Sequence, residues 1–424
     1  MNNTKKKSPW TWIPTLYFGQ GLPYVVAMTV AVIMYKRMGI SNTDIALYTS
    51  WLYFPWMIKP LWSPFVDIIK TKRWWIVSMQ LLIGAGLAGV AFLIPTPFYF
   101  QATLAVLWLI AFSSATHDIA ADGFYMLALD SSQQSFFVGI RSTFYRLAMI
   151  SGQGLLIIGA GALEHYTGNI KLAWSITFFI LAGLFGLFYI YHRIILPKPD
   201  SDITKVENSP KEIIDEFART FVSFFKKPGI GLAITFMLLY RLGEALLVKM
   251  ASPFLLDSRE VGGLGLSTEQ VGLVYGTVGI IALTLGGILG GIAASRKGLK
   301  FWIWPMALAI TLPNLAYVYL SAYLPENLFW INAAVAIEQF GYGFGFTAYM
   351  LYMIYFADGE HKTAHYAICT GFMAMGMMFP GMVAGWLQEL LGYNHFFILV
   401  VLCAIPTLAV IPFIKIGKDF GIKK

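Results

Sequence analysis

The sequence predicts an all-α membrane protein with twelve transmembrane helices in two six-helix halves and both termini cytoplasmic, and three observations predict it. The 424 residues are 58% hydrophobic and only 12% charged, against roughly 25% charged in an ordinary soluble domain, and mean hydropathy is +0.66. Apolar stretches of about 20 residues, long enough to cross the hydrocarbon layer as helices, recur along the whole chain. A polar segment, residues 194–228, parts one group of spans from the other.

The expected spans are 11–36, 44–67, 74–95, 100–129, 138–163, 171–193, 229–256, 268–294, 301–321, 327–357, 364–390 and 394–415. They divide the chain into an N-terminal half, 1–193, a cytoplasmic linker, 194–228, and a C-terminal half, 229–424. The net charge of +8 reads as orientation rather than as a nucleic-acid surface, because the basic residues collect in alternate loops. Lys5, Lys6 and Lys7, then Lys70, Lys72 and Arg73, the group from Arg193 to Lys227, Arg296, Lys297 and Lys300, Lys362, and the C-terminal lysines share one side. The opposite loops hold little beyond Lys36, Arg37, Lys171 and Arg259. The first span is too long for the apolar core of a cleavable signal peptide and is expected to stay. Cys369 and Cys403 fall inside spans and read as small apolar residues. No disulfide, metal or cofactor is expected.

In the linker, Ser209-Pro210-Lys211-Glu212 reads as a capping box with proline at the first helical position. Ile213, Phe217, Phe221 and Phe224 follow at helical spacing, so a tethering helix along the membrane surface is expected.

Four acids lie deep inside apolar runs: Asp118, Asp122, Glu244 and Glu338. Each costs roughly 3 kcal/mol on insertion scales, so a functional reading is the default. Asp118 and Asp122 are spaced i, i+4 and share a helix face. Like charges so placed resist simultaneous ionisation, which suits proton coupling, although pairing between helices would explain them too. Counting depth from the cytoplasmic ends pairs Asp122 with Arg146 and leaves Asp118, with His117 beside it, as the freer proton site. Arg241 and Glu244, at i, i+3, either neutralise each other or leave Arg241 for Glu338 or for an anionic part of a substrate. Lys249 is expected to snorkel toward the outer end. Tyr17, Gln20 and Tyr24 share a face suited to sugar stacking or to helix packing.

Trp62-Ser63-Pro64-Phe65-Val66-Asp67, with Lys70, Lys72 and Arg73 after it, has a counterpart in Gly286-Gly287-Ile288-Leu289-Gly290-Gly291, with Ser295-Arg296-Lys297-Gly298 after it. Both resemble the cytoplasmic loop motif of the major facilitator superfamily, with Ser295 in the place of the second acid. That resemblance implies a gating loop carried by Asp67, Arg73 and Arg296. More specifically, Ala115-Thr116-His117-Asp118-Ile119-Ala120-Ala121-Asp122-Gly123-Phe124 is similar to the helix 4 signature of AmpG-type muropeptide permeases, shared more loosely by the acetyl-CoA transporter family. Leu239-Tyr240-Arg241-Leu242-Gly243-Glu244-Ala245 resembles their helix 7, Glu338-Gln339-Phe340-Gly341-Tyr342-Gly343-Phe344-Gly345 their helix 10, and Gly381-Met382-Val383-Ala384-Gly385-Trp386 their helix 11. Gln339 stands where that family usually has Asn, and the start Tyr17-Phe18-Gly19-Gln20-Gly21-Leu22-Pro23-Tyr24 is more aromatic.

The resemblance implies a monomeric, multi-pass permease of the bacterial inner membrane that imports a peptidoglycan-derived glycopeptide or related amino sugar with protons. It also implies that helices 1, 4, 7 and 10 line one central cavity. The candidate proton-coupling residues are Asp118, Asp122, Glu244 and Glu338, and the candidate substrate-binding residues are Tyr17, Gln20, Tyr24, His117, Arg146, Arg241, Gln339 and Tyr342. The competing readings are an acetyl-CoA-type, saccharide or drug transporter of the same superfamily and a ligand-binding membrane sensor. No Gly-x-x-x-x-Gly-Lys-Ser/Thr loop, His-Glu-x-x-His or Gly-x-Ser-x-Gly motif occurs, which argues against an ATP-driven pump or an intramembrane hydrolase.

Overall fold

A computed structural model describes residues 8–200, 202, 210–359, 361–417 and 420–422. Among these the chain is helical and carries no strand, as expected where backbone groups must be satisfied within their own segment. The leading helices are α1 (Ile13–Val25), α2 (Ala31–Arg37), α3 (Asn42–Ser50), α4 (Phe54–Ile68), α5 (Lys72–Leu93), α6 (Tyr99–Ala128), α7 (Ser131–Ile150), α8 (Leu156–Thr167) and α9 (Ile170–Ile195). The connecting region carries α10 (Pro210–Phe225). The trailing helices are α11 (Ile230–Leu239), α12 (Leu242–Leu256), α13 (Thr268–Val271), α14 (Ile280–Thr311), α15 (Leu315–Tyr323), α16 (Leu328–Ala357), α17 (Lys362–Leu402) and α18 (Ala404–Val410).

Among the described residues, eight helical stretches are long and apolar enough to cross a membrane. Two of them, Thr268–Tyr323 and Ala364–Phe413, run for 56 and 50 residues, far more than one crossing needs. Each breaks at a glycine in the left-handed region, Gly298 (φ 75°) and Gly392 (φ 72°), and both glycines fall between expected spans.

Other boundaries depart from hydropathy for local reasons. α7 begins at Ser131, ahead of the expected 138, because Asp130 and Gln133 form a capping box over a polar first turn. α1 and α2 are joined by a π turn, Val26–Val30, just after Pro23, and α7 and α8 by another, Ser151–Leu155. The expected span 229–256 is two helices, since Arg241 leaves helical geometry at φ −111° and ψ 19°.

The leading helices pack with one another, α1 on α6 and α7 and α5 on α6 and α9, as the trailing helices do, α14 on α16 and α12 on α17. Two seams join the sets. α17 lies against α3 and α4, while α13 and the π turn Gly272–Gly279 lie against α8 and the π turn Ser151–Leu155. At Gly276 a side-chain carbon would overlap the Gln153 carbonyl, so only glycine admits this backbone approach.

α10 packs on α17 and α4, which marks the linker end of the bundle. Phe224 at its close is fully buried against Phe356 and Phe372. At this end of the helix the apolar face therefore meets protein. Ser209 lies outside the described residues, as do the side chains of Ile213 and Phe217.

The far end is latched across the sets. Lys36 pairs with Asp257 at 2.6 Å, and Tyr393 donates to the same carboxylate at 2.6 Å. Asn42 donates to Gln388 at 2.6 Å and to Tyr393 at 2.9 Å, and Thr43 donates to Glu389 at 2.5 Å. Glu164 receives Arg37, Trp174 and Thr268 at 2.9, 2.8 and 2.9 Å. Two of the four basic residues of the opposite loops, Lys36 and Arg37, thus take part in these contacts.

Candidate functional site

A cavity of about 660 Å³ lies between the two sets, from mid-depth toward the linker end. α1 contributes Tyr17 and Gln20; α6, Asp118; α7, Arg141, Ser142, Tyr145, Arg146 and Met149. α14 contributes Leu283 and Gly287, and α16 one face bearing Tyr342, Gly343, Phe346, Thr347, Met350 and Leu351. The expected first, fourth and tenth spans are therefore present, but the seventh, α11–α12, is not. Its place is taken by the fifth and eighth, α7 and α14, while α12 packs on α17 and α2.

The two aspartates have different partners. Asp118, 14% exposed, accepts from Trp56 Nε1 at 3.1 Å and lies 3.7 Å from Lys59 Nζ, both on α4. Asp122, 41% exposed, pairs with Arg141 at 3.1 Å and accepts from the Tyr17 hydroxyl at 3.4 Å. Arg141 also covers the rings of Tyr17 and Tyr125 at 4.7 and 5.0 Å. The expected Asp122–Arg146 pair is therefore corrected. The early start of α7 places Arg146 about 22 Å along the helix, a turn and a half deeper than Arg141. Arg146 is left in the cavity with no ion-pair or hydrogen-bond partner among the described residues.

His117 does not face this space. It is 2% exposed, and its Nε2 lies 3.1 Å from Gln80 Nε2. Gln80 Oε1 lies 3.0 Å from His192 Nδ1, whose other ring nitrogen is 2.9 Å from Thr15 Oγ1. This buried chain joins α6, α5, α9 and α1. Adjacent residues on a helix point apart, so Asp118 faces the cavity and His117 the interior of the leading set.

Glu244 and Glu338 also lie outside the cavity, buried at 2% and 1% exposure, which corrects the single chamber expected for all the acids. Glu338 accepts from Gln339 at 3.0 Å. Its other oxygen, both oxygens of Glu244 and the Tyr317 hydroxyl have no hydrogen-bond partner. Glu244 stands in the first turn of α12, where the helix dipole favours an anion. Arg241 pairs with neither acid: it donates to the Tyr342 hydroxyl and covers the rings of Tyr342 and Phe346 at 5.1 and 4.9 Å. Tyr24 turns edge-on to Trp56 at 5.2 Å instead of lining the cavity.

Of the expected gating loop, the side chain of Asp67 lies outside the described part. Arg73 is held by Asp202, which accepts from the Lys72 and Arg73 amides at 2.7 and 3.0 Å, and its guanidinium donates to the Arg193 and Leu196 carbonyls. Arg296 is exposed. The residues missed were Arg141, Ser142 and Tyr145, whose signal was available: Ser142, Tyr145, Arg146 and Met149 repeat at helical spacing along one face of α7.

This arrangement, a polar and aromatic chamber between two helix sets with an unpaired cation inside, suits binding and passage of a solute. The anhydromuropeptide permease of Escherichia coli strain K12 is 27% identical over 401 residues, covering 93% of this chain and 77% of its own. The putative transporter AmpG 4 of Rickettsia conorii is 26% identical over 414 residues, covering 93% and 94%. Among solved structures, a bacterial homolog of the human lysosomal transporter Spinster, inward-facing and unoccupied, superposes with a TM-score of 0.69 at 14% identity over 95% of this chain and 94% of its own. The inward-open xylose transporter XylE of Escherichia coli gives 0.68 at 12% over 96% of each chain. These relatives and the apolar spans make the chain a multi-pass transport protein of the bacterial inner membrane and not an enzyme. The Major Facilitator Superfamily model matches residues 15–367, and the chain belongs to that superfamily.

Proposed function

We propose that the protein imports a peptidoglycan-derived acidic amino sugar or glycopeptide together with protons, by alternating access of its two helix sets. The observation that carries this reading is the chamber between the sets, where Arg146 offers a free guanidinium to a carboxylate and the aromatic residues Tyr17, Tyr145, Tyr342 and Phe346 line the wall a sugar would meet. The E. coli relative is named for anhydromuropeptides, molecules that carry both features.

The proposed topology has twelve crossings. The two long stretches each divide at their glycine, and α3–α4 and α16 supply two more beyond the eight apolar stretches. Both termini and the linker, 194–228, then lie on the cytoplasmic side, between halves 1–193 and 229–424, and the cavity reaches toward the cytoplasm. The far-end latch closes the periplasmic side, and Asp67, Arg73 and Arg296 belong to the loops that close the other.

Asp118 is the central proton site, since it lines the chamber and its nearest cation, Lys59, stands at 3.7 Å. Asp122 is engaged by Arg141 and serves the chamber mouth. Glu244 and Glu338, enclosed and under-bonded, take protons when the trailing helices shift. The protein acts as a monomer. The testing experiment is radiolabelled uptake of an anhydro-muropeptide into vesicles with and without an inward proton gradient. Gradient-dependent accumulation supports the reading, and its absence for every acidic amino sugar tried removes it.

A further inference from the structure

Lys249 was expected to snorkel to the surface, but it is 2% exposed. It lies about 10 Å inside the far end of α12, and its ammonium points across the seam at α3. There it donates to Thr49 Oγ1 at 3.0 Å and stands 5.3 Å over the Tyr53 ring. Among the described residues no carboxylate pairs with it. Beside it the Ser50 hydroxyl is fully buried and makes no hydrogen bond. Both groups close on Gly381 of α17: a side-chain carbon there would meet Ser50 Oγ at 2.7 Å and Lys249 carbons at 3.3 and 3.4 Å.

An unpaired ammonium held out of water is costly, and packing alone would be served better by an apolar side chain. Thr49, Ser50 and Tyr53 come from the leading set; Lys249 and Gly381 come from the trailing set. The seam between them lies directly beneath the far-end latch of Lys36, Asp257 and Tyr393. If the latch opens, α3 parts from α12 and α17, and the ammonium, the unbonded hydroxyl and the tyrosine face become the floor of the far-side opening.

We propose that Lys249, with Ser50 and Tyr53, forms a carboxylate-binding subsite that receives an acidic sugar from the far end, with Thr49 holding the ammonium while that end is shut. The subsite precedes Arg146 on the path, so the substrate's anion passes from one cation to the next. This rests on the alternating-access reading.

The test measures uptake from the far side in right-side-out vesicles, using an anhydro-muropeptide and the same compound with its carboxylates converted to amides. K249M raises KM for the acid about tenfold, leaves KM for the amide within twofold, and K249R restores most of the loss. A second readout needs no transport. A membrane-impermeant amine-acylating reagent modifies Lys249 in D257N, and the acid protects Lys249 while the amide does not, as scored by peptide mass spectrometry. Equal KM changes for acid and amide, or acylation that the acid fails to slow, overturns the subsite. If wild-type vesicles take up neither compound, the proposed substrate class falls, and protection of Lys249 by N-acetylmuramic acid still decides whether a carboxylate binds there.

Discussion

Neutralising Asp257 should unlatch the far end. Its carboxylate holds Lys36 at 2.6 Å, with side chains 14% and 18% exposed, and accepts from Tyr393 at 2.6 Å. Removing one partner of a fully buried pair costs about 3–5 kcal/mol, and an exposed pair is worth about 0.2–1 kcal/mol. At this partial exposure, with Asn still able to accept from Tyr393, a loss of about 2 kcal/mol is reasonable, equivalent to about 30-fold in the ratio of latched to open forms. Spin labels placed at Tyr166 and Val261, exposed far-end residues of the leading and trailing sets, report that ratio as two distance populations in a background lacking Cys369 and Cys403. D257N should shift weight strongly to the longer distance, K36Q should do the same, and the double variant should add little to either, because the two residues share one interaction. Superimposable distributions for wild type and D257N would refute the latch. Additive effects of the two changes would show that they act through different contacts.

Arg146→Ala should raise KM for a carboxylate-bearing substrate about tenfold while Tm changes little, since the guanidinium has no protein partner to lose; a matched loss for an uncharged analogue would contradict its role. Gly276→Ala should lower stability by about 1–3 kcal/mol, because the added carbon overlaps the Gln153 carbonyl across the seam, and an unchanged thermal unfolding curve in detergent would contradict the close approach. Gln80→Leu should also cost about 1–3 kcal/mol, since it strands His117 and His192 in a buried site, yet it should leave substrate KM nearly unchanged because the chain lies behind the cavity wall.

Hydropathy made the helical membrane class readable, and the breaks at Gly298 and Gly392 fall where the apolar runs were interrupted. The depth of individual side chains was less accessible. Counting from an apolar boundary placed the start of α7 late, since its first turn is polar and held by the Asp130 cap, and that displacement alone exchanged Arg141 for Arg146 opposite Asp122. The acids of α12 and α16 were assigned to the chamber because the superfamily pattern lines it with the seventh and tenth spans; α12 contributes no lining residue, and on α16 the lining begins at Tyr342, one turn beyond the buried Glu338. His117 was placed beside Asp118 in the substrate site, yet the helix period turns it the other way, onto Gln80. The cross-set contacts of Lys36 and Lys249 were invisible, since nothing along one helix states which distant helix it will meet.

The most direct test of proton-coupled import is uptake by Asp118→Asn in proteoliposomes, measured as accumulation under an inward proton gradient and as counterflow without one. Asn keeps the size and can still accept from Trp56 but carries no exchangeable carboxyl proton. The account predicts that gradient-driven accumulation is lost while counterflow and thermal stability persist. Accumulation at the wild-type level in that variant would contradict it.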